Sequence, residues 1–176
     1  APKTEAEITM PRTLLLTGAS RGIGHATVKK FSREGWRVLT CSRQAFDANC
    51  PWPGGAENHI QIDLSDPADI INAVELIRER LDGPLHGLVN NAGILEQQMR
   101  VEHMDAARLN RTFAVNITGV FLCTREAIKR MSRQTGGAGG AIVNVSSVAA
   151  RLGSPGEYVD YAASKGAIDT MTVGLA

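Results

Sequence analysis

A glycine-rich turn between an apolar segment and an amphipathic one constrains the fold of this chain most strongly. Residues 12–17 read Arg-Thr-Leu-Leu-Leu-Thr, a pattern typical of a buried parallel strand. Residues 18–24 read Gly-Ala-Ser-Arg-Gly-Ile-Gly, and apolar residues at helical spacing follow as far as about Glu34. Such a turn can bind a phosphate, because glycine permits close backbone approach and the helix N-terminus offers unpaired N–H groups. An ordinary turn is the alternative interpretation.

Strand-like and helix-like segments alternate along the rest of the chain. Further strands are predicted at residues 36–42, 59–64, 86–89 and 141–145. Helices are predicted from about residue 67 to 81, with Ser65 as the cap, from 106 to about 132, and around 161–165. This alternation predicts a doubly wound, Rossmann-like α/β fold, in which the carboxyl ends of parallel strands form the ligand crevice.

One stretch departs from this pattern. Residues 50–55 read Cys-Pro-Trp-Pro-Gly-Gly, which excludes a regular helix where a doubly wound fold would usually have one. We therefore predict an irregular loop over residues 44–58, with Trp52 packing it against the core. Residues 1–11 are predicted to form a flexible tail, and residues 12–176 a single dinucleotide-binding domain.

Composition argues against several classes of function. The chain has 19 basic and 18 acidic residues, so its net charge of +1 gives no electrostatic reason to expect nucleic acid or an anionic membrane as a partner. No apolar run approaches the length of a membrane span, and the first residues lack the apolar stretch of a signal peptide. Cys41, Cys50 and Cys123 show no metal-ligand spacing, so a cytoplasmic protein with reduced thiols and no metal is expected.

A tyrosine and a lysine four positions apart suggest proton transfer. On a helix, Tyr161 and Lys165 lie on the same face. An ammonium beside a phenol favours the phenolate, which suits a proton donor or acceptor at neutral pH. The same spacing also occurs on solvated helix faces, so the hypothesis gains weight from other polar residues. Asn116 interrupts an apolar helix, and polar residues end the fourth strand at 90–93 and the fifth at 146–147.

Arg43 bears on the identity of the nucleotide. An acidic residue at the end of the second strand would bind a ribose 2′-hydroxyl, whereas a basic residue would bind a 2′-phosphate. Arg43 stands at this position and Arg21 lies in the glycine turn, and either guanidinium can make forked contacts with a phosphate. NADP(H) is therefore predicted in preference to NAD(H), with an ordinary surface arginine as the alternative.

Taken together, these motifs resemble those of the short-chain dehydrogenase/reductase family. They are Thr-Gly-x-x-x-Gly-x-Gly at 17–24, Asn-Asn-Ala-Gly at 90–93, Asn116, Ser-Ser at 146–147 and Tyr-x-x-x-Lys at 161–165. The resemblance covers the chain from about Arg12 to its last residue. It implies an oxidoreductase that reduces a carbonyl to an alcohol, reversibly, with NADP(H) as the hydride carrier.

The resemblance implies catalytic roles for four residues. Tyr161 would be the general acid in reduction and the base in oxidation, and Lys165 would hold the nicotinamide ribose. Ser147 would donate a hydrogen bond to the substrate oxygen, and Asn116 would hold a water that links Lys165 to solvent. Ser147 stands fourteen positions before Tyr161, one more than the family spacing, so a one-residue insertion is expected.

The resemblance also implies a set of cofactor contacts. The residues are Gly18, Ser20, Arg21, Gly22, Ile23, Gly24, Arg43, Asp63, Leu64, Asn90, Ala92, Gly93, Tyr161 and Lys165. Arg43 would bind the 2′-phosphate, Asp63 the adenine and Asn90 the adenosine ribose.

Two other functions stay open at this point. A non-catalytic NADP-binding or sensor module would use the same glycine turn. A nucleotide-sugar epimerase or dehydratase is a weaker alternative, because those proteins usually carry Gly-x-x-Gly-x-x-Gly. The resemblance further implies two more strands and a substrate-covering loop after Ala176, so the chain is expected to be part of a longer protein. A small carbonyl or alcohol substrate and a homotetramer or homodimer packed through the long helices are expected as partners.

Overall fold

Within the described residues, five parallel strands form one sheet in the order β3-β2-β1-β4-β5. The computed structural model of the chain describes residues 11–50, 52, 55–81 and 83–176. The strands are β1 (Thr13–Thr17), β2 (Arg37–Ser42), β3 (His59–Gln61), β4 (Gly87–Asn90) and β5 (Ala141–Asn144). Every neighbouring pair is parallel. The doubly wound α/β prediction and each of its five strands are confirmed.

Helices connect the strands and pack on both faces of the sheet. They are α1 (Gly22–Arg33), α2 (Pro67–Arg80), α3 (Ala106–Phe113), α4 (Val120–Met131), α5 (Ala149–Leu152) and α6 (Val159–Leu175). Short 3₁₀ turns lie at Val101–His103 and Arg133–Thr135. The predicted long helix is present as α3 and α4, joined without a break by a π-helical turn at Ala114–Gly119.

The predicted cap of α2 is wrong by one residue. The carboxylate of Asp66, not the hydroxyl of Ser65, accepts the N–H of Ala68 at 2.8 Å. The hydroxyl of Ser65 donates instead to Asp63, at 2.7 Å. Asp66 is therefore the residue that begins the helix, and Ser65 is part of the strand-end structure.

The core divides at the sheet, because successive strand residues point to opposite faces. Leu14 and Leu16 pack in a cluster with Val28 of α1. Leu15 packs on the other side, in a larger cluster with residues of α2 and α4 such as Ile70 and Ala127. β1 is thus buried on both faces, as a central parallel strand requires, whereas Val143 of the edge strand β5 is 53% exposed.

The irregular loop after β2 behaves as predicted where it can be described. The ring of Phe46 lies 5.8 Å from the ring of Trp52, and Trp52 is only 9% exposed in the cluster under α1. Trp52 therefore packs the loop against the core. Residues 51, 53 and 54 of this loop, and residues 1–10 of the predicted tail, lie outside the described part of the chain.

The strand order determines where a ligand can bind. The chain leaves β1 toward β2 on one side and later returns to pair β4 against the other side of β1. Connections from neighbouring strands therefore diverge there and leave a crevice at the carboxyl ends. The polar segments noted in the sequence all meet at this edge.

Candidate functional site

The turn after β1 has a backbone conformation that glycine adopts without strain. Gly18 has a φ of +70° and Gly22 a φ of +56°. A Cβ atom at Gly18 would lie 2.7 Å from the Cα of Ala92, and one at Gly24 would lie 2.1 Å from the carbonyl oxygen of Gly18. The turn therefore packs directly against the chain after β4, with no room for side chains between them.

The N-terminus of α1 points free N–H groups toward the same edge. Arg21 occupies the capping position in an extended conformation, and no side chain in the described part of the chain caps this helix. The first turn also contains no acidic residue. A helix end of this kind combines unpaired donors with the positive end of the helix dipole, which suits a phosphate group.

A cleft of about 340 Å³ lies beside the ends of the first four strands. It is lined by Gly18, Ser20, Arg21, Gly22, Ile23, Ser42, Arg43, Gln44, Ile62, Asp63, Leu64, Asn91, Ala92, Gly93, Ile94 and Val115. The lining combines backbone N–H groups and two guanidinium groups with apolar walls. This composition suits a nucleotide, which has anionic phosphates and flat apolar rings.

Two groups of opposite charge lie at one side of the cleft. Arg43 is exposed, and one carboxylate oxygen of Asp63 accepts both the hydroxyl and the N–H of Ser65, at 2.7 and 2.9 Å. The hydroxyl of Ser65 is the main cause that lowers the pKa of Asp63 below its ordinary value, against an opposing effect of burial. The positive charge of Arg43 adds to the lowering. Asp63 is therefore ionised at neutral pH and is an acceptor.

The side chain of Asn90 does not line the cleft. It is 3% exposed, and its amide donates to the hydroxyl of Thr124 at 2.9 Å and to the side chain of Asn144 at 2.8 Å. The backbone carbonyl oxygen of Asn90 accepts the N–H of Val145, whereas its side-chain oxygen has no hydrogen-bond partner among the described residues. Asn90 thus joins β4 to β5 and α4, and this geometry gives no support to the predicted contact of its side chain with a ribose.

The next asparagine holds the two halves of the cleft together. The amide of Asn91 donates to the carbonyl oxygens of Thr17 and Gly18, at 3.2 and 2.9 Å. The hydroxyl of Thr17 accepts the N–H groups of Asn91 and Ala92, at 3.1 and 3.0 Å. Four hydrogen bonds therefore fix the glycine turn against the segment after β4.

Asn116 lies in the π turn and is completely buried. Its carbonyl oxygen accepts the N–H of Ile94 at 2.8 Å, and its amide donates to the carbonyl oxygen of Ile94 at 2.9 Å and to the hydroxyl of Ser164 at 3.0 Å. A fully buried amide requires such partners, because an unsatisfied buried polar group is costly. Its partners connect the segment after β4 to α6, and π turns are frequent at functional sites.

Lys165 and Tyr161 lie on α6, as the spacing predicts. Lys165 is 5% exposed and donates to the carbonyl oxygen of Val145 at 2.7 Å, while its Nζ lies 5.7 Å from the centre of the Tyr161 ring. Burial lowers the pKa of Lys165 from its ordinary value, and the negative charge of Asp169 opposes this. A Cβ on Gly93 would lie 3.5 Å from the Nζ of Lys165, so the ammonium borders the cleft.

The two serines after β5 differ in their hydrogen bonds. The hydroxyl of Ser146 donates to the carbonyl oxygen of Lys165 at 3.4 Å. The hydroxyl of Ser147 accepts the N–H of Ala149 at 3.2 Å, which leaves its proton available to a further acceptor. This difference favours Ser147 over Ser146 as a donor to a ligand.

Comparison with known proteins decides the family. The model of the short chain dehydrogenase family matches residues 12–176. The chain belongs to the short-chain dehydrogenase family.

One relative and two solved structures show how far the likeness extends. The chain is 53% identical over 167 residues to a protein of Escherichia coli named uncharacterized oxidoreductase YgfF, covering 92% of this chain and 67% of that protein. A crystal structure of a Brucella ovis oxidoreductase of this family, in complex with a partially ordered NAD, has a TM-score of 0.86 at 45% identity, covering 95% of this chain and 77% of that one. A structure of ElxO with NADP bound has a TM-score of 0.79 at 29% identity, and the match covers 95% of this chain and 67% of that chain.

The chain spans about two thirds of the length of the curated relatives it matches. In the part of the chain that the structure describes, none of the helices has the length and apolar character needed to cross a bilayer. The same residues contain no group of three or more His, Cys, Asp and Glu side chains arranged to hold a metal ion.

The dehydrogenase motifs and the structure can be compared residue by residue. The predicted cofactor residues that line the cleft are Gly18, Ser20, Arg21, Gly22, Ile23, Arg43, Asp63, Leu64, Ala92 and Gly93. Those that do not line it are Gly24, Asn90, Tyr161 and Lys165. Gly24 packs against the carbonyl oxygen of Gly18 within the turn, whereas Lys165 borders the cleft at Gly93. The structural roles of Thr17, Asn91 and Ser164 were missed, although the first two are part of the motifs that indicate the family.

Replacement of Gly24 by alanine is expected to destabilise the protein. The new Cβ would lie 2.1 Å from the carbonyl oxygen of Gly18 and 2.5 Å from the amide of Asn91, so backbone must move. Overpacking of this kind costs about 1–3 kcal/mol of unfolding free energy, measurable by urea denaturation. The control is Gly166→Ala on α6, where nothing lies within 4 Å of the new Cβ. Alanine there should be neutral or stabilising by up to about 1 kcal/mol. Equal stability of the two variants would contradict this account of the turn.

Proposed function

We propose that this chain carries the catalytic domain of an NADP(H)-dependent oxidoreductase that interconverts a small carbonyl compound and an alcohol. The observation that carries the proposal is the placement of Lys165. Its buried ammonium lies beside the ring of Tyr161 on one side and borders the cleft at Gly93 on the other. A proton-transfer pair and a nucleotide-sized cleft are therefore neighbours, which is the arrangement that hydride-transfer chemistry requires.

The residues around the cleft fit a nicotinamide dinucleotide. The glycine turn and the uncapped start of α1 provide N–H donors for the diphosphate, from Gly22 and Ile23. Arg21 and Arg43 would bind a 2′-phosphate, and ionised Asp63 would accept hydrogen bonds from adenine. Ala92 and Gly93 lead from the diphosphate end toward Lys165. When bound, the cofactor supplies or accepts the hydride.

The chain's own residues would handle the proton. In reduction, the hydroxyl of Tyr161 gives its proton to the carbonyl oxygen as the carbonyl carbon gains hydride, and in oxidation the same group takes the proton back. Lys165 would hold the nicotinamide ribose of the cofactor beside Tyr161. The hydroxyl of Ser147 donates a hydrogen bond to the substrate oxygen and stabilises its developing negative charge.

The side chain of Asn116 has one hydrogen-bonding position left for the proposed water. Both donors of its amide group are used, by Ile94 and Ser164. Its carbonyl oxygen accepts one hydrogen bond from Ile94 and has a second lone pair, which is the acceptor a linking water would use. We therefore assign Asn116 two tasks: it fixes Ile94 against α6, and it presents one acceptor near Lys165.

Preference for NADP(H) is supported by the two arginines of the cleft. The known relatives do not decide it, because the Brucella ovis structure is described with NAD and the ElxO structure with NADP. Arg21 and Arg43 both line the cleft, and the residue that follows β2 is Arg43 rather than an acidic residue. A 2′-phosphate placed between two guanidinium groups would gain charge-assisted hydrogen bonds that NAD cannot make.

Replacement of Tyr161 by phenylalanine should abolish turnover and spare cofactor binding, because only the proton-bearing hydroxyl is removed. Turnover is followed as NADPH oxidation with a panel of 2,3-butanedione, benzaldehyde and cyclohexanone, and binding by NADPH fluorescence. The control is Tyr158→Phe, which removes the other tyrosine hydroxyl of the chain, one turn away. Full activity of the Tyr161 variant would refute the mechanism. If the unaltered protein binds NADPH but turns over none of the carbonyl compounds of the panel, this would favour a non-catalytic nucleotide-binding module.

Replacement of Arg43 by alanine should weaken NADPH binding and leave NADH binding unchanged. The loss of a charge-assisted contact is worth about 1.5–3 kcal/mol, or roughly ten- to a hundredfold in Kd. Titration of both cofactors by fluorescence measures the effect, with the exposed Arg33 at the end of α1 as the control for alanine substitution. Tighter binding of NADH than of NADPH by the unaltered protein would overturn the assignment.

We further infer that the protein acts in the cytoplasm as a homodimer or homotetramer packed through its long helices. The free, buried thiols of Cys41 and Cys123 support a reducing compartment.

Phe121 and Ile128 on α4 are 50% and 38% exposed, and covering them would bury apolar surface. Light scattering coupled to size exclusion should give two or four times the mass of the protomer. A monomer at micromolar concentration would contradict the inference.

A further inference from the structure

A buried ion pair stands immediately before the proposed proton donor. The guanidinium of Arg108, on α3, donates to both oxygens of Asp160, at 2.9 and 3.3 Å. The two side chains are 5% and 1% exposed. Asp160 precedes Tyr161 in the first turn of α6, and the hydroxyl of Thr112 also donates to it, at 3.4 Å.

A contribution to folding stability does not by itself explain why this ion pair is buried. Removing two charges from water is costly, and a buried pair is often no more stabilising than apolar side chains of similar volume. What a forked guanidinium–carboxylate contact provides is a fixed distance and orientation between the two elements that carry it. Because Asp160 adjoins Tyr161, the orientation fixed here is that of the catalytic turn.

The pair belongs to a row of contacts along two helices. Arg108, Thr112 and Asn116 are spaced by four and reach Asp160 and Ser164, which are also spaced by four. In a regular α-helix such a row drifts around the axis by about 40° per step. Asn116 lies in the π turn, and its amide still reaches Ser164 of α6. The polar row then continues into an apolar cluster of Val120, Ile168 and Met171.

Arg108 also holds the segment that follows β4. Its third nitrogen donates to the carbonyl oxygen of Gln97 at 2.6 Å. This segment begins with the cleft residues Gly93 and Ile94, and farther on Met99 donates its N–H to the carbonyl oxygen of Glu157, just before α6. One guanidinium therefore fixes the cleft wall and the catalytic turn relative to each other.

We propose that Arg108 and Asp160 are positioning residues that hold the first turn of α6, and with it Tyr161, at a set place relative to the cleft. This inference rests on the proposed function, since it concerns how the proton donor of that reaction is oriented. Neither side chain touches the reacting atoms. Their effect is on kcat, because misplacement of a catalytic group by about 1 Å can cost a hundredfold in rate.

The test compares Arg108→Met, Asp160→Asn and the double variant with the unaltered protein. Each single change should lower kcat for 2,3-butanedione roughly ten- to a hundredfold, while the KM for this probe and the Kd for NADPH stay close to their original values. The double variant should lose less than the product of the two single losses, because both changes remove the same contact. Arg108→Lys keeps the charge without the fork and should give an intermediate kcat.

A neighbouring ion pair provides the matched control. Arg111 of α3 makes a forked contact with Glu96 of the same segment, at 3.0 and 3.1 Å, but the pair is more exposed and does not reach α6. Arg111→Met and Glu96→Gln should therefore leave kcat within about twofold of the original value.

The outcomes separate this inference from the proposed function. Normal kcat in folded Arg108 and Asp160 variants, with an inactive Tyr161→Phe variant, would overturn the positioning role alone. An active Tyr161→Phe variant would overturn the function itself. If Arg108→Met does not fold, Asp160→Asn decides, because an amide fits the site of the carboxylate. Failure of all the variants to fold would show that the pair serves folding only, and would also overturn the inference.

Discussion

The arrangement of this site depends on one buried amide. Asn116 binds both backbone groups of Ile94 and the hydroxyl of Ser164, so it joins the segment after β4 to the helix that carries Tyr161 and Lys165. A polar side chain with no solvent exposure must be satisfied within the protein, and here each of its bonds crosses between elements. The hydroxyl of Ser164 in turn donates to the carbonyl oxygen of Tyr161, at 2.7 Å. The amide therefore reaches Tyr161, the proposed proton donor, through a single intervening group.

The cleft separates its charges in a way that suits a dinucleotide. Fixed positive charge lies at one side, where Arg43 is exposed to the space that a phosphate would occupy. At the other end, the charge is a lysine whose pKa is lowered by burial and which keeps a short hydrogen bond to Val145. Ionised Asp63 lies beside Arg43, and the rest of the lining combines backbone and apolar side chains with polar ones such as Ser20 and Asn91. This distribution of charge supports the proposal that the cleft binds a nicotinamide dinucleotide.

The sequence predicts the fold and the location of the site more reliably than the roles of individual side chains. Alternating strands and helices are encoded locally, and parallel strands bring their carboxyl ends to one edge, so both could be predicted. Adjacent asparagines could not be distinguished, because strand pleating sends Asn90 into the sheet and leaves Asn91 at the cleft. The pairing of Arg108 with Asp160 joins residues 52 positions apart, and no local pattern marks it. The π turn was also missed, since its residues follow the pattern of one continuous apolar helix.

The buried thiols have a consequence for how the molecule can be observed. Burial raises the pKa of Cys123 to about 12, and burial and the neighbouring Cys123 together raise the pKa of Cys41 well above its ordinary value. Alkylating reagents attack the thiolate, so both sulfurs are protected twice, by exclusion of the reagent and by protonation. Modification therefore requires local opening of the structure, around strand β2 for Cys41 and around helix α4 for Cys123. The labelling rates of these two cysteines under native conditions would thus report how often β2 and α4 open locally.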